Sequence, residues 1–175
     1  MFKESIGNNR YLTASMFREE LMVHIREYKT ANEQTFPTKK GISFTKVRWA
    51  KFRGQIDEID RKVELLKANQ HVDYSHHMGA KYYVTVSTGV KCVNFRRYFM
   101  PKNSDKERPT RSGIALRLGE WETLVSKIDE LHSQLPELKV ASPCYSSLDH
   151  LNQTGYLNCR ECSPFSAELG IQVTV

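Results

Sequence analysis

The sequence lacks any long apolar run. No stretch approaches the roughly 18 consecutive apolar residues that indicate a membrane-spanning helix. Its opening residues, MFKESIGNNR, also lack the apolar core of a secretory signal peptide. These two absences predict an intracellular protein without a membrane partner.

The sequence also lacks the short motifs that carry common enzymatic chemistry. It contains no glycine-rich phosphate loop, no Gly-x-Ser-x-Gly and no His-Glu-x-x-His. Its acidic residues cluster in QIDEID and KIDEL, on the polar sides of predicted helices, where they serve solubility or partner contact. We therefore predict a binding protein and not an enzyme.

Cysteine is scarce, with only Cys92, Cys144, Cys159 and Cys162 in the chain. In a reducing compartment such residues are more often thiols or metal ligands than disulfides. The rest of the composition, 39% apolar and 26% charged, is that of an ordinary globular protein with one large or two small domains. The net charge of +6 favours a polyanionic partner.

What the sequence does contain is an internal repeat. PTKKGISFTKVRW begins at residue 37 and PTRSGIALRLGEW at residue 109, so the two copies are offset by 72 positions. GNNRYLT at Gly7 and GAKYYVT at Gly79 have the same offset. We predict a first repeat over residues 1–67, a polar linker over 68–77, a second repeat over 78–138 and a tail over 139–175.

Each repeat has the same predicted order of elements. In the first, RYLTASMF and LMVHIREYK alternate loosely between apolar and polar residues, TANEQTFP interrupts the pattern and KKGISF resumes it, which predicts an antiparallel β-meander. Apolar residues then recur at helical spacing, which predicts a long amphipathic helix. These residues are Trp49, Phe52, Ile56, Ile59, Val63 and Leu66, and in the second repeat Trp121, Leu124, Ile128, Leu131, Leu135 and Leu138.

A single unit of this size has a marginal core, whereas two units could bury their helix stripes against each other. The predicted fold class is therefore α+β, with two meander-plus-helix repeats packed as a pseudo-dimer within one chain. We assign Trp49 and Trp121, at the start of the stripes, to packing.

The motifs of the first repeat resemble the single-stranded-DNA-binding domain of the transcriptional coactivator positive cofactor four. The shared elements are I-G-x-x-R-Y, the Phe six residues after that Tyr, V-x-I-R-E-Y, P-x-x-K-G-I-S, the Trp and I-x-x-I-D. The second repeat resembles the family more weakly, through Y-V-T-V, R-R-Y, P-T-R-S-G-I, the Trp and I-D-E-L. The resemblance implies a four-stranded sheet and a helix, dimerisation through the helices, and binding of single-stranded or unpaired DNA across curved sheets.

The resemblance also implies which residues contact DNA. In the first repeat it points to Phe17, Arg26, Lys39 and Lys40, and the repeat alignment adds their counterparts Arg96 and Arg111. An aromatic follows the R-E-Y motif in the family, and this position is Lys29 in the first repeat but Phe99 in the second. Each repeat thus keeps one of two stacking aromatics, which predicts one composite groove or two unequal ones. The complete predicted DNA-binding set is Arg10, Phe17, Arg26, Lys29, Lys39, Lys40, Lys81, Arg96, Arg97, Phe99, Arg108 and Arg111.

The tail contains a separate candidate site. Cys144, His150, Cys159 and Cys162 are spaced C-x5-H-x8-C-x2-C, and zinc accepts three thiolates and an imidazole in a tetrahedron. A bound metal would also explain how so short a segment folds. The alternative is a set of reduced surface cysteines. The last residues, LGIQVTV, have strand character.

The leading hypothesis is a sequence-tolerant single-stranded-DNA-binding protein that acts in transcription, replication or repair through charge and stacking. RNA remains an alternative ligand because phosphate contacts and stacking do not require a particular sugar. A protein-interaction adaptor that uses the helices or the tail is the second alternative. The family resemblance implies a nuclear location and transcription or replication proteins as further partners.

Overall fold

Each half of the chain forms a four-stranded antiparallel sheet in which every strand pairs with its sequence neighbours. A computed structural model describes residues 1–171, so most of the predicted C-terminal strand, residues 172–175, lies outside the described residues. The observed strand order confirms the two meanders and the α+β class. In the first repeat the elements are β1 Phe2–Gly7, β2 Arg10–Phe17, β3 Glu20–Ala31, β4 Gln34–Phe44, α1 Lys46–Arg53 and α2 Ile56–Lys67. In the second they are β5 Asp73–Gly79, β6 Tyr82–Ser87, β7 Val90–Phe99, β8 Arg108–Arg117, α3 Leu118–Gln134 and α4 Pro136–Val140.

The β3–β4 hairpin of the first repeat is longer than the sequence pattern suggested. The prediction that TANEQTFP interrupts the meander was wrong, because β3 and β4 pair as far as Ala31 and Gln34. Only Asn32 and Glu33 form the turn, both with positive φ, as tight hairpin turns require. The segment is polar because this arm extends beyond the core and residues 29–37 are exposed.

A bulge interrupts the β3–β4 hairpin and the β7–β8 hairpin at equivalent positions. Arg26 pairs with Gly41 but Tyr28 pairs with Pro37, so a single residue of β3 lies opposite three residues of β4. The second repeat has the same irregularity between Arg96–Gly113 and Tyr98–Pro109 pairs. A Cβ at Gly113 would lie 2.1 Å from the Phe95 carbonyl oxygen, which is impossible without backbone movement. The repeated P-T-x-x-G motif is therefore the sequence of this bulge.

The two repeats share one hydrophobic core. Its centre is aromatic, where the Phe52 ring contacts Phe95 at 5.5 Å and Trp121 at 6.1 Å between centroids. Trp49 and Trp121 are fully buried. The Trp49 indole donates a hydrogen bond to His132 Nε2 (3.0 Å), and the Trp121 indole donates one to Asp60 Oδ1 (2.6 Å). Each tryptophan thus bonds to a helix of the other repeat, which confirms the pseudo-dimer.

Three details of the predicted architecture were wrong. The first apolar stripe forms two helices, because the chain tightens at Gly54–Gln55 and Gln55 bonds to the Phe52 carbonyl three residues back. The helices pack on the sheets of both repeats, with α2 against β6 and α3 against β1, β7 and β8, instead of only stripe against stripe. The predicted linker also contains most of β5, which begins at Asp73.

The tail is short and irregular. Two turns of 3-10 helix lie at Cys144–Ser146 and Leu148–His150, and α5 follows at Gln153–Asn158. Among the described residues, no helix is both long and apolar enough to cross a membrane.

We predict that Gly113→Ala lowers the free energy of unfolding by roughly 1–3 kcal/mol, because Gly113 has φ +151° and no room for a Cβ. Gly119→Ala in α3 is the matched control, since no described atom beyond its chain neighbours and the backbone of its own helix lies within 4 Å of its Cβ position. The control gains up to about 1 kcal/mol from helix propensity. Urea unfolding measures both, and equal stabilities for the two variants would contradict the bulge assignment.

Candidate nucleic-acid interface

The sheet of the first repeat has one face on the core and an outer face toward solvent. Leu12, Val23 and Ile25 are buried in the core, and their neighbours along β2 and β3 alternate to the other face. The residues of the outer face are Lys3 from β1, Tyr11, Thr13, Ser15 and Phe17 from β2, and Met22, His24, Arg26 and Tyr28 from β3. Several of them line a shallow cavity of about 340 Å³.

Aromatic rings and cations are combined on this outer face. The Tyr11 and Tyr28 rings meet edge to face at 5.0 Å, and Lys3 Nζ lies 4.7 and 4.3 Å from their centroids. Phe17 is 58% exposed, with the Arg18 guanidinium 5.2 Å from its ring. Lys3, Tyr11 and Tyr28 were not predicted as site residues. Strand alternation could have indicated the two tyrosines, whereas Lys3 joins them only through β1–β2 pairing.

Arg26 and Arg96 occupy equivalent positions and brace the bulges. Arg26 Nη1 donates to the Thr38 carbonyl at 2.9 Å, and Arg96 Nη1 donates to the Thr110 carbonyl at 3.3 Å. Both side chains are half-buried but remain on the outer faces of their sheets. Burial, together with the charge of Arg26, lowers the pKa of His24, so that Arg26 is the cation of this pair near neutral pH.

The other predicted cations of the hairpins are exposed. Lys39, Lys40 and Arg111 lie within the two bulges, and Lys40 Nζ is 3.6 Å from a Glu27 carboxylate oxygen. Lys29 and Phe99 are each three residues beyond the bracing arginine, so they lie on the opposite face of their hairpins from Arg26 and Arg96. Arg97 and Arg108 share that opposite face in the second repeat.

The outer face of the second sheet differs from that of the first. His77, Tyr83 and Tyr98 form a row of rings with centroid distances of 4.9 and 4.5 Å. Burial raises the pKa of Tyr83 to about 12, with a further contribution from the Glu107 carboxylate. A carboxylate therefore approaches these rings where a lysine approaches Tyr11 and Tyr28. The two faces are unequal.

Two of the predicted DNA-binding residues have carboxylate partners within the protein. Arg10 Nη1 binds Glu120 Oε2 (2.8 Å) and the Ala115 carbonyl across the pseudo-dimer interface, and Glu120 is only 4% exposed. Lys81 Nζ binds Glu168 Oε1 of the tail at 2.8 Å. The sequence pattern missed both pairings because their partners are distant in the chain.

The four predicted metal-ligating residues converge in the tail. The ligand atoms of Cys144, His150, Cys159 and Cys162 all lie within 4.8 Å of one another. Burial raises the pKa of the Cys162 thiol to about 12 and also raises that of Cys144. The group could hold a metal ion, whose charge would favour the thiolates that burial alone disfavours.

The orientation of His150 fits such a role. The Ser147 hydroxyl donates to the Cys144 carbonyl at 2.8 Å, so its oxygen is placed to accept a hydrogen bond from His150 Nδ1 at 3.0 Å. This arrangement leaves Nε2 as the unprotonated nitrogen. Nε2 is buried and has no hydrogen-bond partner within the described part of the chain. A buried lone pair without a partner is available to coordinate a metal ion.

The tail docks against the body of the protein. Glu161, between Cys159 and Cys162, accepts hydrogen bonds from Arg48 Nε and Nη2 of α1, both at 2.9 Å. Its carbonyl accepts from the Ala80 backbone in the β5–β6 turn at 2.9 Å. The Cys-x-x-Cys segment therefore joins a helix of the first repeat to a turn of the second.

Comparison with known proteins gives a family match in the first repeat. Residues 4–55 match the family model described as Transcriptional Coactivator p15 (PC4). A putative RNA polymerase II transcriptional coactivator of Caenorhabditis elegans is 44% identical over 59 residues, which cover 33% of this chain and 48% of the relative. The RNA polymerase II transcriptional coactivator KELP of Arabidopsis thaliana is 30% identical over 63 residues, which cover 36% and 38%.

A putative RNA polymerase II transcriptional coactivator of Neurospora crassa is 36% identical over 55 residues, which cover 31% of this chain and 32% of the relative. The chain thus spans between about a third and a half of the length of these relatives. No solved structure matches it.

We predict that Arg10→Ala lowers the free energy of unfolding by roughly 1–3 kcal/mol, because it leaves Glu120 buried without its cation. Exposed Arg111→Ala is the matched control and changes stability by about 0.5 kcal/mol or less. Urea unfolding provides the comparison. A stable Arg10→Ala variant would show that Arg10 is dispensable for the interface and return it to the list of candidate DNA contacts.

Proposed function

We propose that the protein binds single-stranded or melted DNA with little sequence preference and acts in transcription, because its first repeat matches the PC4 family of transcriptional coactivators. The observation that carries this proposal is the outer face of the first sheet. There Tyr11 and Tyr28 lie beside Lys3, and Arg26 and the exposed Phe17 share the same face of the sheet.

Such a surface suits a single strand for two physical reasons. Unpaired bases expose flat faces that stack on aromatic side chains, and phosphates are attracted to lysine and arginine, in each case without reading the base sequence. A duplex buries those base faces, so the rings favour unpaired DNA. The exposed Lys39, Lys40 and Arg111 of the bulges extend the positive surface along the hairpins.

The biological role proposed here follows the named relatives. Two of them are called putative RNA polymerase II transcriptional coactivators and one is called the coactivator KELP. We extend this role to the present chain: it acts in the nucleus, with the RNA polymerase II machinery as partner, by binding and without catalysing a reaction.

The tail is proposed to hold one zinc ion through Cys144, His150, Cys159 and Cys162. Three thiolates and one imidazole are a donor set of structural zinc sites. The buried, unpartnered His150 Nε2 and the adjacent sulfur atoms support this assignment. The ion would stabilise a segment with little core of its own and keep Glu161 against Arg48.

A protein-interaction adaptor is the second candidate function. The large side chains exposed in the tail include Tyr145, Leu151 and Tyr156, at 53%, 80% and 45%. Contiguous exposed apolar surface is typical of partner-binding sites. In this reading the tail recruits another protein and the outer face of the sheet contributes little.

The DNA proposal predicts tight, salt-sensitive binding of a labelled single-stranded oligonucleotide in fluorescence anisotropy, with weaker competition by duplex. Phe17→Ala weakens binding by about 1–3 kcal/mol because a base loses its stacking partner. The slope of log affinity against log salt stays unchanged in this variant, at about 0.7 per neutralised phosphate.

Met16→Ala is the matched control for Phe17→Ala. Met16 is the preceding residue of β2 and is 64% exposed, but it lies on the opposite face of the strand. An RNA competitor of the same base sequence tests the sugar preference. Weak wild-type binding that is indifferent to strandedness and salt would reject the DNA proposal and favour the adaptor.

The zinc proposal predicts one equivalent of zinc in the purified protein by elemental analysis. Cys159→Ser loses the metal, whereas Cys92→Ser keeps it because Cys92 lies in β7 outside the cluster. Chelation makes the tail sensitive to protease while the body of residues 1–140 stays resistant. Metal content unchanged in Cys159→Ser would contradict the assignment.

A further inference from the structure

The outer part of the β3–β4 hairpin carries an unassigned aromatic residue. Phe36 pairs directly across the strands with Lys29, so the two side chains are neighbours on one face of the hairpin. Phe36 is 49% exposed, and every residue from 29 to 37 is exposed. The ring therefore contributes little to the core, which ends well before this arm.

The second repeat has the same pair in reverse. The pairs Tyr28–Pro37 and Tyr98–Pro109 are equivalent, and the next pair outward is Lys29–Phe36 in one repeat and Phe99–Arg108 in the other. In the first repeat β3 carries the cation and β4 the aromatic. In the second, β7 carries the aromatic and β8 the cation. Phe99 is 45% exposed, close to the exposure of Phe36.

Both repeats thus have one aromatic residue and one cation at this cross-strand pair, but the two residue types exchange strands between the repeats. Residues directly opposite in an antiparallel pair have Cβ atoms about 5 Å apart, so an exchange across the pair moves each group only slightly. A large ring that stays half-exposed on a solvated arm gains little from folding. A ring next to a cation suits a base and its phosphate.

We propose that Phe36, on the face of the hairpin opposite that of Arg26, is a second base-stacking residue of the first repeat and that Lys29 across from it contacts the neighbouring phosphate. This inference rests on the proposed binding of single-stranded nucleic acid. It corrects the expectation that the first repeat keeps only one stacking aromatic, because its second ring lies across the strand at Phe36. The two hairpin arms then present equivalent aromatic–cation pairs.

The test compares wild-type protein with three variants in anisotropy titrations of labelled oligothymidylate. Phe36→Leu keeps apolar bulk but removes the aromatic face, and it weakens binding about 5- to 150-fold with an unchanged salt slope. Phe36→Trp binds at least as tightly as the wild type. The exchange variant Lys29→Phe/Phe36→Lys places the aromatic on β3 and the cation on β4, as β7 and β8 have them in the second repeat. It keeps the wild-type affinity within about 3-fold, which is a small difference in binding free energy.

Thermal unfolding of each variant controls for damage to the hairpin. Phe36→Leu with wild-type affinity, or an exchange variant that binds as weakly as Phe36→Leu, would overturn the inference while the DNA proposal stands. Absent binding by the wild type would reject the DNA proposal itself. Stacking has an independent readout: Phe36→Leu also loses quenching of a 2-aminopurine base placed in the oligonucleotide.

Discussion

The interaction on which the structure depends is the reciprocal contact of the two tryptophans across the pseudo-dimer. Trp49 bonds to His132 and Trp121 bonds to Asp60, and Phe52 packs between the halves against Phe95. Neither repeat could bury such rings alone, because a unit of this size encloses too little volume. The shared core fixes both sheets, so that their outer faces point to solvent with defined spacing.

Because the two repeats are parts of one chain, their sequences can differ. In a symmetric homodimer every substitution appears twice, whereas here each face can change alone. The first face combines Tyr11 and Tyr28 with Lys3, and the second places Glu107 near Tyr83. The tail adds a further asymmetry, since Glu161 bonds to Arg48 of one repeat and to the Ala80 backbone of the other. A fused dimer can therefore hold unequal binding surfaces on one symmetric frame.

The two bulges connect the frame to the candidate sites. Arg26 and Arg96 each donate to a bulge carbonyl, and the glycines allow the close strand approach. The same motif that keeps the bulge geometry thus exposes Lys39, Lys40 and Arg111. The P-T-x-x-G motif thus supplies both the bulge and its exposed cations, and the two repeats are most alike in this motif.

The sequence alone determined the features that depend on local pattern. The offset repeat, the strand alternation, the buried tryptophan stripes and the spacing of Cys144, His150, Cys159 and Cys162 all follow from residues near one another in the chain. Arg26 and Tyr28 could likewise be placed on one sheet face by alternation along one strand. Partners distant in sequence required the tertiary structure. It decided that Arg10 binds Glu120, that Lys81 binds Glu168, and that Phe36 stands opposite Lys29. The reason is physical: periodicity specifies which face a residue occupies, but strand register and inter-repeat packing specify what it meets there.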